Sequence, residues 1–403
     1  MSAMPARDRL VTGPFALVTG AALAYFVAIG TLAPVLPLYV EGPLRGTDVA
    51  VGITVGAFSF AAALLRPWIG RIGDQRGRRV LVIGGALVVA TSVAGYGLAS
   101  SLPVLIAMRL VTGVGEAALF VGAATAIQDL APDSRRGEAA SYFSVAIYGG
   151  LALGPALGEW VLGEDRFTSV WAVAGASCLV AAVLGWWTPV GHIGQPKGPR
   201  RLLHPAALVP GSVLGLSLIG FAGFSTFVPL YVGDIGLDGS SQVFALYAGG
   251  VLAVRIFGAR IPDVVGPVRT ATAALVCLSV GLAVMAAWQV PLGLYVGTAV
   301  FAGGSSLLFP ALNVLVIDAA PATERSSAVA TFSIFFDLSQ GVGALVLGVV
   351  VAVGGEPSAF AVGAVLCLVA LVVLRRRAPA HVAGTAAGSL GNEVVEPAPV
   401  PGA

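Results

Sequence analysis

Charge is scarce in this chain. Of its 403 residues only 10% are Asp, Glu, Lys or Arg, and 57% are hydrophobic, against about 25% charged in a typical soluble domain. That balance excludes a water-soluble fold, which could not hide so much apolar surface. Cysteine is nearly absent as well. Cys178, Cys277 and Cys367 fall inside apolar runs, have no metal or redox spacing, and read as small buried apolar residues. His192, His204 and His381 lie scattered in loops and the tail, so no metal site is expected. No cofactor is expected either. Alternation of period two is also missing. Runs such as Val80 to Ala94 lack a polar residue at every second place, which excludes the ten-residue dyads of a membrane β-barrel.

The chain is rich instead in long apolar runs, each near the roughly 20 residues that a helix needs to cross a bilayer. They fall at about 13–40, 48–69, 79–99, 103–128, 138–163, 168–188, 208–232, 241–261, 269–288, 291–317, 325–353 and 358–374. The spacing predicts an all-α integral membrane protein with twelve transmembrane helices. Arg7 and Arg9 before the first run superficially resemble a signal peptide. That run continues for about 28 residues without a small-residue cleavage site, so it reads as an uncleaved first span.

Basic residues are distributed unevenly between the two sets of loops. Arg71, Arg76, Arg78, Arg79, Arg135, Arg136, Lys197, Arg200, Arg201, Arg260, Arg269 and Arg325 fall on one side, with the arginines near both chain ends. The opposite loops hold only Arg45 and Arg166 among several acids. Basic loops mark the cytoplasmic face, which predicts a multi-pass protein of the cell (inner or plasma) membrane with both termini in the cytoplasm. The same loops flank spans throughout, so they are not a nucleic-acid site.

The two halves repeat. Arg66, Asp74, Asp129, Pro132 and Phe143 recur 189 residues later as Arg255, Asp263, Asp318, Pro321 and Phe332. Pro37-Leu38-Tyr39-Val40 recurs as Pro229-Leu230-Tyr231-Val232 at an offset of 192. Six spans followed by six in the same order form a parallel repeat about an axis along the membrane normal. The expected domains are residues 1–190, a polar linker at 191–206, residues 207–377, and a disordered cytoplasmic tail at 378–403.

Between the second and third spans stands Gly70-Arg71-Ile72-Gly73-Asp74-Gln75-Arg76-Gly77-Arg78-Arg79. Its glycines let two helix ends turn tightly, and Asp74 suits a helix N-terminus. This sequence resembles the cytoplasmic signature of the major facilitator superfamily of transporters. The resemblance covers about residues 13–374 and implies two pseudo-symmetric six-helix bundles. It further implies that Asp74 docks the hairpin against the cytoplasmic start of span eleven and that Arg78 reaches Asp129. Together these contacts lock the halves in the outward-facing state. The plain alternative is a loop that only sets topology. Gln75 departs from the family pattern, and Arg76 supplies the charge one place later. The second copy has Pro267 and Val268 instead of arginines, so its lock is weaker.

Span four contains Leu105, Arg109, Thr112-Gly113, Gly115 and Glu116 in an order that resembles proton-coupled members of the superfamily. An arginine inside a span costs about 2.5–3.5 kcal/mol at the centre. Arg109 therefore faces protein or water, or else snorkels to the headgroups. Glu116 lies about 10.5 Å farther along the same face, too far for easy pairing. In span five, Gly149, Gly154-Pro155 and Gly158 resemble the antiporter signature of drug:proton exporters. Pro155 bends the helix and the glycines allow close packing, which is also the simpler reading of the motif. Glu159 replaces the glycine usual at its end, a departure from the motif.

Glu116 and Asp337, both deep in spans, are the candidates for reversible protonation, with Arg109 as modulator; the alternative is that either acid is permanently paired. Cavity candidates by depth are Tyr25, Phe26, Tyr148, Phe221, Phe224, Ser305, Asn313 and Phe336. The chain has no phosphate-binding Gly-rich loop with Lys-Ser/Thr, so direct ATP drive is not expected. The reading that results is a secondary transporter, monomeric, that exports a small organic molecule from the cell in exchange for protons. Its rivals are an importer or uniporter of the same fold and, from another class, a non-transporting membrane sensor. An intramembrane enzyme is disfavoured because no histidine lies in a span.

Overall fold

A computed structural model describes residues 10–132, 135–163, 165–188, 203–258, 261–320 and 325–390. The described residues form helices throughout: α1 (Gly13–Glu41), α2 (Asp48–Arg76), α3 (Arg78–Tyr96), α4 (Leu102–Leu130), α5 (Arg136–Leu162) and α6 (Phe167–Trp186) make the first bundle. The second is made by α7 (Pro205–Asp234), α8 (Ser241–Phe257), the short α9 (Ile261–Val265), α10 (Pro267–Ala287), α11 (Pro291–Ala319), α12 (Arg325–Gly354) and α13 (Glu356–Leu390). With no water in a bilayer core to satisfy backbone groups, helices close their own hydrogen bonds.

Eleven of these helices are long and apolar enough to cross a membrane, and the 17-residue α8 is the short twelfth. The unbroken α2 shows what α8 has lost. In the second copy the helix stops at Gly258, where Gly258 N donates to Val254 O at 2.7 Å, and a separate turn, α9, completes the pass. The hairpin that follows is nonetheless the same in both halves. Gly77 has φ 89° and Gly266 has φ 91°, a left-handed conformation open to glycine, at the 189-residue offset. Packing repeats too. In the first half α1 lies on α5 and α6, α3 on α4 and α6, and α2 on α4; α7, α12 and α13, α10, α11 and α13, and α8 and α11 pack correspondingly. Even an aromatic pair recurs, Phe120 with Phe143 at 5.6 Å and Phe309 with Phe332 at 5.2 Å.

The halves meet through α2 with α12, α5 with α8, and α1 with α7. Close approaches gather toward the arginine-poor end. A side chain at Gly348 would meet Asp48 O at 2.8 Å, and one at Gly56 would meet Gly341 O at 2.6 Å. Phe227, Leu230, Leu347, Val351 and Ala359 of the second half are buried in the apolar core of the first.

Two sequence-derived boundaries shift. Helix α7 begins at Pro205, inside the expected linker, because His204 Nδ1 accepts from Ala206 N and caps the helix. Helix α13 runs to Leu390, past the end expected at 377; the segment is rich in alanine, the best helix former. Residues 189–202, which hold most of the linker, and residues 391–403 lie outside the described residues.

Candidate functional site

Helix α4 is held closely on both sides. A Cβ at Gly113 would fall 2.9 Å from Ala61 Cβ on α2, and one at Gly115 would fall 2.7 Å from Gly85 O on α3. This contact sets the depth of Glu116, at the middle of the 29-residue α4. Its partner comes from α2: Arg66 Nη2 donates to Glu116 Oε1 at 3.0 Å, with both side chains largely buried. The Arg66 guanidinium also lies 4.4 Å from the Phe120 ring centre, one turn along α4 from Glu116. Glu116 Oε2 is buried without a hydrogen bond, as is the nearby Tyr25 hydroxyl. A buried ion pair of this kind is costly to break from either side.

Arg109 has a different role. It is buried, and its Nε donates to Thr54 O at 3.1 Å while Nη2 reaches Val55 O and Nη1 reaches the Tyr96 hydroxyl, both at 3.4 Å. The Phe58 ring lies 4.6 Å from its guanidinium. Tyr96 continues the network to Thr112 at 2.6 Å, and Thr112 to Ser92 at 2.9 Å. Arg109 thus neither snorkels nor meets Glu116; it clamps α4 to α2 and α3. The sequence singled out Arg109 and passed over Arg66 as a site residue, although the repeat had marked Arg66.

At the arginine-rich end, Arg78 Nε lies 3.2 Å from Asp129 Oδ2, so the structure brings these two motif residues together within the first half. Arg79 stacks on Trp186 at 4.7 Å, tying α3 to α6. Arg76 is exposed in the last turn of α2, where a cation complements the helix dipole. Gly70 faces open space, whereas Gly73 packs on Leu81 and Gly77 makes the turn. The Asp74 and Asp337 side chains lie outside the described residues.

On α5 the glycine motif packs against α1 of the same half. A Cβ at Gly154 would lie 2.5 Å from Gly30 Cα, and Gly158 sits against Thr31 O; Pro155 is buried. Gly149 has ordinary room, since a Cβ there would lie 3.5 Å from Leu23 Cδ1, and the tight neighbour is Gly150, where a Cβ would fall 2.5 Å from Phe26 Cβ. Glu159, the departure from the motif, carries its own contact. Its carboxylate accepts from Ser240 N at 2.5 Å, Ser240 Oγ at 2.7 Å and Ser241 N at 3.0 Å. It therefore caps the start of α8, a favourable place for a negative charge, and ties the halves together at the arginine-poor end.

The cavity candidates divide. Tyr25, Phe26 and Phe224 are buried in the cores of their own halves. Phe221 and Phe224 belong to a ring cluster with Tyr247 and Phe301. Tyr148 is half-buried at the contact between halves, where its hydroxyl lies 3.4 Å from Arg255 Nη2. Ser305 is half-buried at the middle of α11. Asn313 has a buried Oδ1 without a partner, and Phe336 is partly exposed, edge-on to Phe309 at 6.3 Å. Among the described residues no cluster of His, Cys, Asp and Glu could hold a metal ion.

Comparison with known proteins places this architecture. Residues 18–291 and 213–399 match the family model described as Major Facilitator Superfamily. An uncharacterized MFS-type transporter of Salmonella typhimurium, STM4428, is 30% identical over 371 residues, covering 89% of this chain and 94% of that one. The uncharacterized MFS-type transporter YhhS of Escherichia coli is 28% identical over 381 residues, covering 91% and 93%. The solved human organic anion transporter MFSD10 superposes with a TM-score of 0.67 over 90% of this chain and 99% of that one, at 19% identity, a likeness of fold. The repeated six-helix bundles, the apolar spans and these matches lead to one conclusion: the chain belongs to the major facilitator superfamily and is a multi-pass membrane transporter, not an enzyme.

Proposed function

We propose that this transporter exports a small organic molecule in exchange for protons, and that Glu116 carries the proton. One observation supports this reading above the others: Glu116 is buried at mid-helix, paired with Arg66 at 3.0 Å, with its second oxygen unbonded. The ionised acid holds Arg66. Protonation removes the carboxylate charge that holds Arg66 on α4, and a buried pair that loses one of its charges is strongly weakened. This couples a proton to a rearrangement of α2 against α4. Asp337 remains the second candidate. It is the repeat counterpart of Tyr148, at the 189-residue offset.

The contacts at the arginine-poor end fit the same cycle. With the arginine-rich end in the cytoplasm, the halves are closed on the outside, and substrate enters from within. Rocking of one bundle on the other then exposes it outward, with Asp74 steadying that state, while the Arg78–Asp129 pair, formed within the first half, keeps the hairpin in place on α4 throughout. Glu116→Gln should abolish uphill export driven by a pH gradient while downhill exchange survives. Proteoliposomes with a pH-sensitive dye inside and a panel of radiolabelled organic molecules measure both. If Glu116→Gln and Asp337→Asn both still concentrate substrate against its gradient, proton coupling through these acids is wrong.

A further inference from the structure

The repeat keeps an arginine in both halves but an acid in only one. Arg255 is the counterpart of Arg66, yet the counterpart of Glu116 is Ser305, at the middle of the 29-residue α11. The second half therefore holds a membrane cation whose in-half carboxylate has been replaced by a hydroxyl. No carboxylate among the described residues lies within ion-pairing distance of Arg255. It turns instead across the boundary between halves. Its Nη1 donates to Ser144 Oγ at 2.8 Å, its Nη2 reaches the Tyr148 hydroxyl at 3.4 Å, and its charge lies 4.8 Å from the Tyr148 ring centre. Its Nε is buried without a hydrogen-bond partner.

A charge in this setting is costly and marks a substrate or ion pathway more often than packing. Neutral hydroxyls solvate the cation without neutralising it, and the guanidinium fork, with Nε open, suits a carboxylate accepting two parallel bonds. Next to this fork is an apolar wall. Tyr148 packs against the second-half core that holds Tyr247 and Phe301, and Tyr247 lies on α8, eight residues before Arg255. The Tyr247 ring stands 5.4 Å from Phe221, which stacks on Phe301 at 6.4 Å.

We infer that Arg255 anchors the negative group of the substrate, and that the substrate class is an organic carboxylate with an aromatic or apolar body. The anion takes the part beside Arg255 that Glu116 plays beside Arg66, a part that Ser305 at the corresponding position cannot fill. Because Ser144 and Tyr148 belong to α5 and Arg255 to α8, a bound carboxylate touches both halves at once. The inference rests on the proposal above only in taking the space between the halves as the substrate's route; it is independent of transport direction and of Glu116.

The test is equilibrium binding to the purified full-length protein at constant pH, without a gradient, so that a failure of proton coupling does not affect it. Three probes of one shape and different charge are used: 2-naphthoate, 2-naphthamide and 2-naphthylmethylammonium. Wild-type protein should bind 2-naphthoate saturably and at least tenfold tighter than either analogue. Arg255→Gln should weaken 2-naphthoate at least tenfold. Ser305→Glu, which restores the in-half acid and leaves Arg255 in place, should do the same. Both variants should elute as monodisperse protein, and Arg255→Lys should recover part of the affinity. Overturning results are a wild type that binds the amide or the ammonium as tightly as the anion, no saturable naphthoate binding, or a loss under tenfold in either variant.

Discussion

Arg66, Arg109 and Arg255 show three ways of keeping a cation in an apolar interior. Arg66 has a carboxylate, Arg109 has backbone carbonyls and a tyrosine hydroxyl, and Arg255 has hydroxyls from the other bundle. Each arrangement predicts a different mutant. Arg109→Ala removes bonds to a charged donor, worth about 1.5–3 kcal/mol each, and should lower the melting temperature of the purified protein markedly. Arg78→Ala should barely change it, since an exposed pair contributes about 0.2–1 kcal/mol and the Asp129 side chain is 40% exposed. Its effect should fall on transport rate, and the Arg78/Asp129 double variant should cost less than the sum of the singles. Additive losses in the transport assay would separate the two residues. The pairing of Arg78 with Asp129 was foreseeable from the motif. That of Arg66 with Glu116 was not, because it depends on how α2 crosses α4, and nothing in one sequence fixes the rotation of one helix against another. The clue was present all the same: following the 189-residue offset from Arg66 and Arg255 on to Glu116 and Ser305 isolates the pair.

At the scale of elements, α5 carries two separable contacts. Its middle is fused to α1 through Gly150, Gly154 and Gly158, and its end grips α8 through Glu159. Gly154→Ala forces a methyl group toward Gly30, an overpacking that costs about 1–3 kcal/mol, so it should reduce thermal stability; Gly149→Ala, with room around it, should not. Equal melting temperatures for the two variants would mean that α1 and α5 can part freely. Glu159→Ala loses a helix cap worth about 1 kcal/mol. It should shift the population about fivefold away from closure at the arginine-poor end, read as spin-label distances between the ends of α2 and α12. Unchanged distances would show that the glycine contacts of α2 with α12 suffice alone. Sequence identified the glycine pattern but not its target, since the same spacing serves any close helix. It also read Glu159 as a flaw in the motif. Only the position of Ser240 and Ser241, some 81 residues away, shows that the acid has a partner.

Across the whole molecule, the spans, the repeat and the basic face were legible because each depends on composition or spacing. The pass that departed from expectation is α8, and the reason is its break at Gly258. Seventeen residues at 1.5 Å each reach about 25 Å, short of the roughly 30 Å hydrocarbon core of a typical bilayer. Around its end Ile256, Phe257 and Val264 are strongly exposed apolar residues. The pass is completed only by the separate α9 beyond Gly258, so a bilayer thicker than α8 must either thin beside it or press on the junction of α8 with α9. Either response costs a fraction of a kcal/mol per ångström, and the cost falls on the helix that bears Arg255 and meets α5. Lipid chain length thereby becomes a control on the balance between the two faces of the carrier. Reconstituted in bilayers of 14-carbon and then 20-carbon acyl chains, the transporter should work measurably faster in one than in the other, and inserting two leucines before Gly258 should flatten that dependence.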